Sequence, residues 1–235
     1  MEIDLLRCLW QPQQLNWWIG SIFALGSLLF LIGSWLSLDP MLVKHLSMSN
    51  TAVNRVFFLG SIPFTTAAYL QLFQAANAGP PLSGTDTSRK RIHWFGWEPQ
   101  EIGWLSCALQ FPGTILFNVN TLNDLNANLN WIGQDGLVWI PNLLGSILFL
   151  SSGYLAFIET CHSHWTWNPG SLSWWVTFSN LLGCVGFMGA ALTSPVLPGG
   201  LGPILPTTSL IFTLLGAVGF LIGSLLMLPE AVTPS

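Results

Sequence analysis

Charge is what this chain has least of. Only 7% of its residues are Asp, Glu, Lys or Arg, against about a quarter in soluble globular domains. With 51% hydrophobic residues, that scarcity reads as an integral membrane protein. No Asp, Glu, Lys or Arg stands well inside any long apolar run, where ion pumps and proton-coupled carriers place one. Lys44 and Lys90 both fall between runs, which leaves no lysine for a retinal Schiff base, and no histidine stands mid-run for a bis-histidine haem. Phosphate-binding glycine loops, nucleophile elbows and zincin motifs are missing as well. The expectation is therefore a protein that is not an enzyme. The first residues are acidic and lack the basic head and cleavage site of a signal peptide, so the first apolar run is expected to persist in the mature protein. Four cysteines, Cys8, Cys107, Cys161 and Cys184, make no disulfide framework. Cys107 and Cys184 fall within apolar runs and read as small hydrophobes. Net charge is −4, but most charges lie between the runs, and nothing in them points to nucleic acid.

Six apolar runs are present, at 17–38, 56–74, 102–122, 137–158, 172–193 and 207–228. Each is close to the ~20 residues that cross a hydrocarbon core as a helix. Tryptophans near their ends (Trp17, Trp18, Trp94, Trp104, Trp139, Trp174, Trp175) suit the interfacial aromatic belt. A Gly-x-x-x-Phe spacing recurs in every run: Gly26/Phe30, Gly60/Phe64, Gly113/Phe117, Gly145/Phe149, Gly183/Phe187 and Gly216/Phe220. Seven and eight residues after the glycine the side chains are small in five runs, and Asn120-Thr121 in the third. Gly26 and Gly60 are 34 residues apart, Gly113 and Gly145 32, Gly183 and Gly216 33. These spacings predict three tandem hairpins, at 16–76, 100–159 and 172–228, within one membrane domain covering 1–235. Hairpins repeated in one orientation imply a pseudo-threefold axis along the membrane normal. Glycine with small residues two turns later makes a face on which helices approach closely.

The stretch Gly-Ser-Leu-Leu-Phe-Leu-Ile-Gly-Ser at 26–34 and its echoes resemble the YrhK-like two-helix hairpin of uncharacterised bacterial multi-pass membrane proteins. The resemblance covers the hairpins and not the loops. It implies the architecture and a bacterial inner-membrane setting, and it brings no catalytic residue.

The third run is the most polar. Gln110, Thr114, Asn118 and Thr121 are spaced by 4, 4 and 3 residues, which places them on one helix face. A buried amide needs a partner or water. Asn142 is expected at a depth similar to Asn118, and Asn180, Thr65 and Thr66 could extend the lining. Pro63 and Pro112 each delete a backbone hydrogen bond and could free carbonyls toward such a cavity. The face reads either as a polar cavity or neutral conduit on the axis, or as interhelical bridging, worth about 0.6 kcal/mol per contact on average.

Between the runs, Arg7, Arg89, Lys90 and Arg91 fall on one side and Lys44 and Arg55 on the other. That bias predicts both termini in the cytoplasm. Arg89, Lys90 and Arg91, followed by aromatics, suit contact with lipid head groups. Glu159, Cys161, His162 and His164 crowd into six residues, ligand types that zinc or copper could use; Trp165 and Trp167 beside them suit an interfacial loop instead. The sequence reading is thus an all-α, six-helix membrane bundle acting through protein or lipid contacts, as a scaffold or accessory subunit. Lipids, further copies of the chain or a membrane complex would be its partners, and no cofactor is indicated. Its alternatives are a channel or facilitator for a small neutral solute, and a metal-binding protein using the 159–164 loop.

Overall fold

The computed structural model describes residues 10–78, 92–196, 198 and 205–230. Six helices in them are long and apolar enough to cross a membrane. They are α1 (Leu15–Leu38), α3 (Asn50–Ala76), α4 (Ile102–Asn123), α6 (Ile140–Cys161), α7 (Leu172–Thr193) and α8 (Pro206–Glu230). Two short helices join them, α2 (Pro40–His45) and α5 (Trp131–Gln134), the latter running through a π turn at Asp135–Trp139 into α6.

Local chemistry sets the boundaries. The Asp39 carboxylate accepts from the Leu42 backbone N–H, with Pro40 behind it at the first helical position, so α2 starts directly after α1. Helix α3 begins six residues before the hydropathy run, because the Ser49 hydroxyl accepts from Ala52 N and carries the helix across the polar turn. The fourth span is longer than its apolar run for a different reason. Its π turn is tied down from outside, with Val196 N donating to Asp135 Oδ1 at 2.9 Å and the Trp139 indole to the Ala191 carbonyl at 2.9 Å. Pro63 and Pro112 both lie inside continuous helices.

A second repeated signature shows how α1, α4 and α7 begin. Trp-x-Pro occurs at Trp10/Pro12, Trp97/Pro99 and Trp167/Pro169, each tryptophan seven residues before Trp17, Trp104 and Trp174. In every case the leading indole packs edge-on against the second, at 5.1, 5.7 and 5.0 Å between ring centroids. The second indole is buried each time. Trp104 donates to the Phe95 carbonyl and Trp174 to that of Thr166. The aromatic pair thus clamps the incoming loop under the first turn of the helix.

Each long helix packs on its neighbour in chain order, and α8 packs back on α1, which closes the six into a ring. Within each hairpin the contact is the same. A Cβ on Gly26 would stand 3.0 Å from the Gly60 carbonyl oxygen and 2.8 Å from the Phe64 ring, and one on Gly60 would meet Phe30 at 2.9 Å. Gly113 and Gly145 face each other's carbonyls in the same way at 3.3 and 3.1 Å, and Gly183 and Gly216 at 3.1 and 3.1 Å. Removing the side chain lets two backbones touch, and the partner helix's phenylalanine covers the gap. Polar seams add to this. Ser61 and Thr121 hydroxyls are 3.0 Å apart across α3 and α4, and Ser106 bonds the carbonyl and hydroxyl of Ser152 across α4 and α6.

Candidate functional site

The ring encloses an aromatic layer. Phe30, Phe64, Phe117, Phe149, Phe187 and Phe220, one from each long helix, are all buried and meet at mid-bundle. Phe187 touches Phe30, Phe117 and Phe220 at 5.8, 5.6 and 5.6 Å between ring centroids. Phe30–Phe64, Phe64–Phe220, Phe149–Phe220 and Phe117–Phe149 close the circuit at 5.4, 5.7, 5.8 and 5.0 Å. The space left among them is about 10 Å³ and is lined by the rings and Ser61. A water needs at least about 10–15 Å³ and two or more polar partners. The layer is dry.

Polar cavities lie on both sides of it. Toward the end where α1, α4 and α7 begin, which is also the tryptophan-rich end, a cavity of about 260 Å³ reaches down to Phe23, Phe149 and Phe220. All six long helices contribute to its wall, with Gln71, Ser106, Gln110, Ser152, Thr177 and Asn180 the polar groups and Glu159 among its lining residues near the helix end. On the far side a cavity of about 130 Å³ rests on Phe30, Phe117 and Phe187 and is edged by Asn120, Thr121, Asp124, Asn142 and Thr213. Asp124 and Asn142 are shared with a wider recess of about 330 Å³ at that end. Asp124 stands at the lip, open on one side and crowded on the other, and burial there pushes its carboxyl above the usual range. Neither axial cavity is lined by Lys or Arg.

Of the polar residues singled out in the third run, Gln110 reaches the larger cavity, where the Ser152 hydroxyl approaches its Oε1 at 3.5 Å. Thr114 is fully buried and donates to its own helix at the Phe111 carbonyl. Asn118 turns to the α3–α4 seam, its Nδ2 donating to Thr65 Oγ1 at 2.7 Å while its Oδ1 is buried with no partner. Thr121 bridges to Ser61 and also edges the smaller cavity. The expected single polar face is therefore divided between axis and seam. Each step of four residues turns about 40° past a full circle, so Gln110 and Asn118 point to different neighbours. Asn142 and Asn180 both reach the axis, in different cavities. Thr66 points to the outer surface, where its hydroxyl donates to the Ile62 carbonyl of its own helix.

Gln71, Ser106, Thr177, Asp124 and Thr213 line the axis without having been singled out from sequence, and Asn120 and Ser152 reach it from the position seven residues after their glycines. A signal for several of them existed, at fixed offsets from the repeated glycines other than those read.

In the 159–164 loop, Tyr154 Oη and His164 Nδ1 are 3.0 Å apart, and His162 takes a left-handed conformation that ends α6. Among the described residues no three His, Cys, Asp or Glu come together as a metal site, so Glu159, Cys161, His162 and His164 are not gathered into one coordinating group. Arg89, Lys90 and Arg91 lie outside the described residues. No protein-family model matches the chain, and neither a curated protein nor a solved structure matches it. The chemistry of the axis therefore carries the functional reading.

Proposed function

We propose that the chain is a gated conduit for small uncharged solutes, running along the axis of the helix ring and closed in this conformation at the phenylalanine layer. One observation carries the reading: two polar cavities stand on opposite sides of a dry aromatic constriction, inside a ring of spanning helices. Hydrophobic constrictions of this kind gate by dewetting. Charged side chains in the long helices, such as Arg55 and Glu159, stand toward the helix ends, and none stands at mid-span, where ion pumps and proton-coupled carriers place one.

The proposal includes three hairpin copies about that axis. Phe23, Gln110 and Asn180 each stand three residues before the glycine of their hairpin's first helix, and all three line the larger cavity. Gln71, Ala156 and Met227 each stand eleven residues after the second-helix glycine and line the same cavity. Phe57, Asn142 and Thr213, three before the second-helix glycine, line the smaller one. Equivalent positions converging on one axis are what a threefold repeat produces. We also place both termini on the cytoplasmic side, which the distribution of cations along the sequence supports, and the bacterial inner membrane as the setting rests on the hairpin resemblance alone.

Stopped-flow light scattering of proteoliposomes under a gradient of a small neutral solute tests the conduit. The wild type is expected to be slow and Phe187→Ala, which removes one of the two rings with three partners in the layer, fast. Phe187→Leu, which keeps the layer filled, is expected to stay near wild type. If Phe187→Ala, folded by circular dichroism, passes no more solute than empty liposomes, the conduit is excluded. The scaffold reading, to which the hydroxyl and amide bridges between helices lend support, then stands in its place.

A further inference from the structure

We propose that the larger cavity is a binding site for a small planar molecule of the carboxamide or urea class, a deepening that rests on the conduit reading. Three carboxamides enter the cavity, Gln71 from the first hairpin, Gln110 from the second and Asn180 from the third. They are left largely unspent. Gln71 Oε1 is buried with no partner, Gln110 Oε1 has only the Ser152 hydroxyl at 3.5 Å, and the Asn180 side chain makes no hydrogen bond among the described residues. Asn180 is also held in place, since a Cβ on Gly223 would collide with its amide group. Outside the cavity, only Ser34 Oγ and Asn118 Oδ1 are buried without a partner among the described residues. A buried amide oxygen without a partner, as in Gln71, is costly, and with the weakly engaged amides of Gln110 and Asn180 around the same cavity it points to a ligand that supplies the missing bonds.

The ligand's chemistry follows from the lining. A carboxamide both donates and accepts, so its complement also carries both functions, as an N–C=O group does. With no Lys or Arg in the lining, a carboxylate or phosphate finds no counter-charge. The base of the cavity is lined by Phe23, Phe149 and Phe220, an aromatic surface that suits the flat face of a planar amide. The volume, about 260 Å³, is more than ten times what one water needs.

Cys107 lines the same cavity and is half-buried, which makes it a built-in reporter. Its thiolate displaces iodide from iodoacetamide, forming an S–CH₂ bond as the thiol proton passes to buffer. Peptide mass spectrometry follows the rate on the full chain in detergent. Millimolar acetamide is expected to slow Cys107 alkylation several-fold in wild type and to have no effect in a Gln71→Leu, Asn180→Leu variant, while acetate and glycerol protect neither. Saturation-transfer NMR with acetamide on both proteins gives a second readout that needs no thiol chemistry. Equal protection by glycerol, or no protection together with no saturation transfer, overturns the site. Protection without solute flux keeps the site and removes the conduit; flux without acetamide binding does the reverse.

Discussion

At the level of single residues, the glycines separate into those that hold the bundle and those that do not. Gly186 is the tightest in kind: a Cβ there would meet the backbone of Gly216 at 2.6 and 2.7 Å and the Phe212 carbonyl at 3.0 Å, with no flexible side chain to yield. Gly136, in the π turn, has nothing within 4 Å of the same point. Gly186→Ala is therefore expected to force α7 and α8 apart and cost roughly 1–3 kcal/mol, the range for overpacking. Gly136→Ala should be silent or slightly stabilising. Thermal midpoints of both variants in one detergent check the pair, and an unchanged midpoint for Gly186→Ala would mean that the helices slide rather than press. The unpartnered Asn118 Oδ1 and Gln71 Oε1 belong to the same scale. One is buried at a seam and the other faces a cavity, and only position distinguishes them.

At the level of elements, the tryptophan clamp recurs at the start of α1, α4 and α7. The clamp has two parts, an edge-on ring contact and an indole N–H bond to a loop carbonyl, at 2.9 Å for Trp104. Trp104→Phe keeps most of the first and deletes the second. It is expected to cost about 0.5–1.5 kcal/mol, with hydrogen exchange rising at the start of α4 rather than across the bundle. Trp97→Phe, at an exposed position, should cost less. Equal losses would assign the clamp to ring packing alone. Gly-x-x-x-Phe was legible in the sequence because it lies within one helix. The Trp-x-Pro pairing is as regular, but it joins a loop to a helix, and hydropathy runs leave loops out.

At the level of the whole molecule, the axis and the wall are expected to respond to different substitutions. Gln110 faces the larger cavity and Asn118 the α3–α4 seam. In a Phe187→Ala background, Gln110→Leu should slow neutral-solute flux, because it withdraws one polar group from the path. Asn118→Leu should leave flux unchanged and lower the thermal midpoint slightly, as loss of an interhelical bond worth about 0.6 kcal/mol would. The opposite pattern would place the path outside the axis.

Much of this protein follows from sequence alone. Scarce charge and six apolar runs decide that it is a spanning helical bundle, since lipid leaves the backbone no other way to satisfy its hydrogen bonds. The spaced glycines mark close backbone contacts between α1 and α3, α4 and α6, and α7 and α8, because close approach depends on a missing side chain that can be read directly. What only the tertiary structure decided is the direction of each polar side chain. Six phenylalanines repeated along the chain become one dry layer only when the ring closes α8 on α1. Gln110 and Asn118, two turns apart, part company because the 3.6-residue helix carries them onto different neighbours. Gln71 and Asn180 join Gln110 from separate hairpins, and that meeting depends on a rotation about the axis that no local spacing encodes.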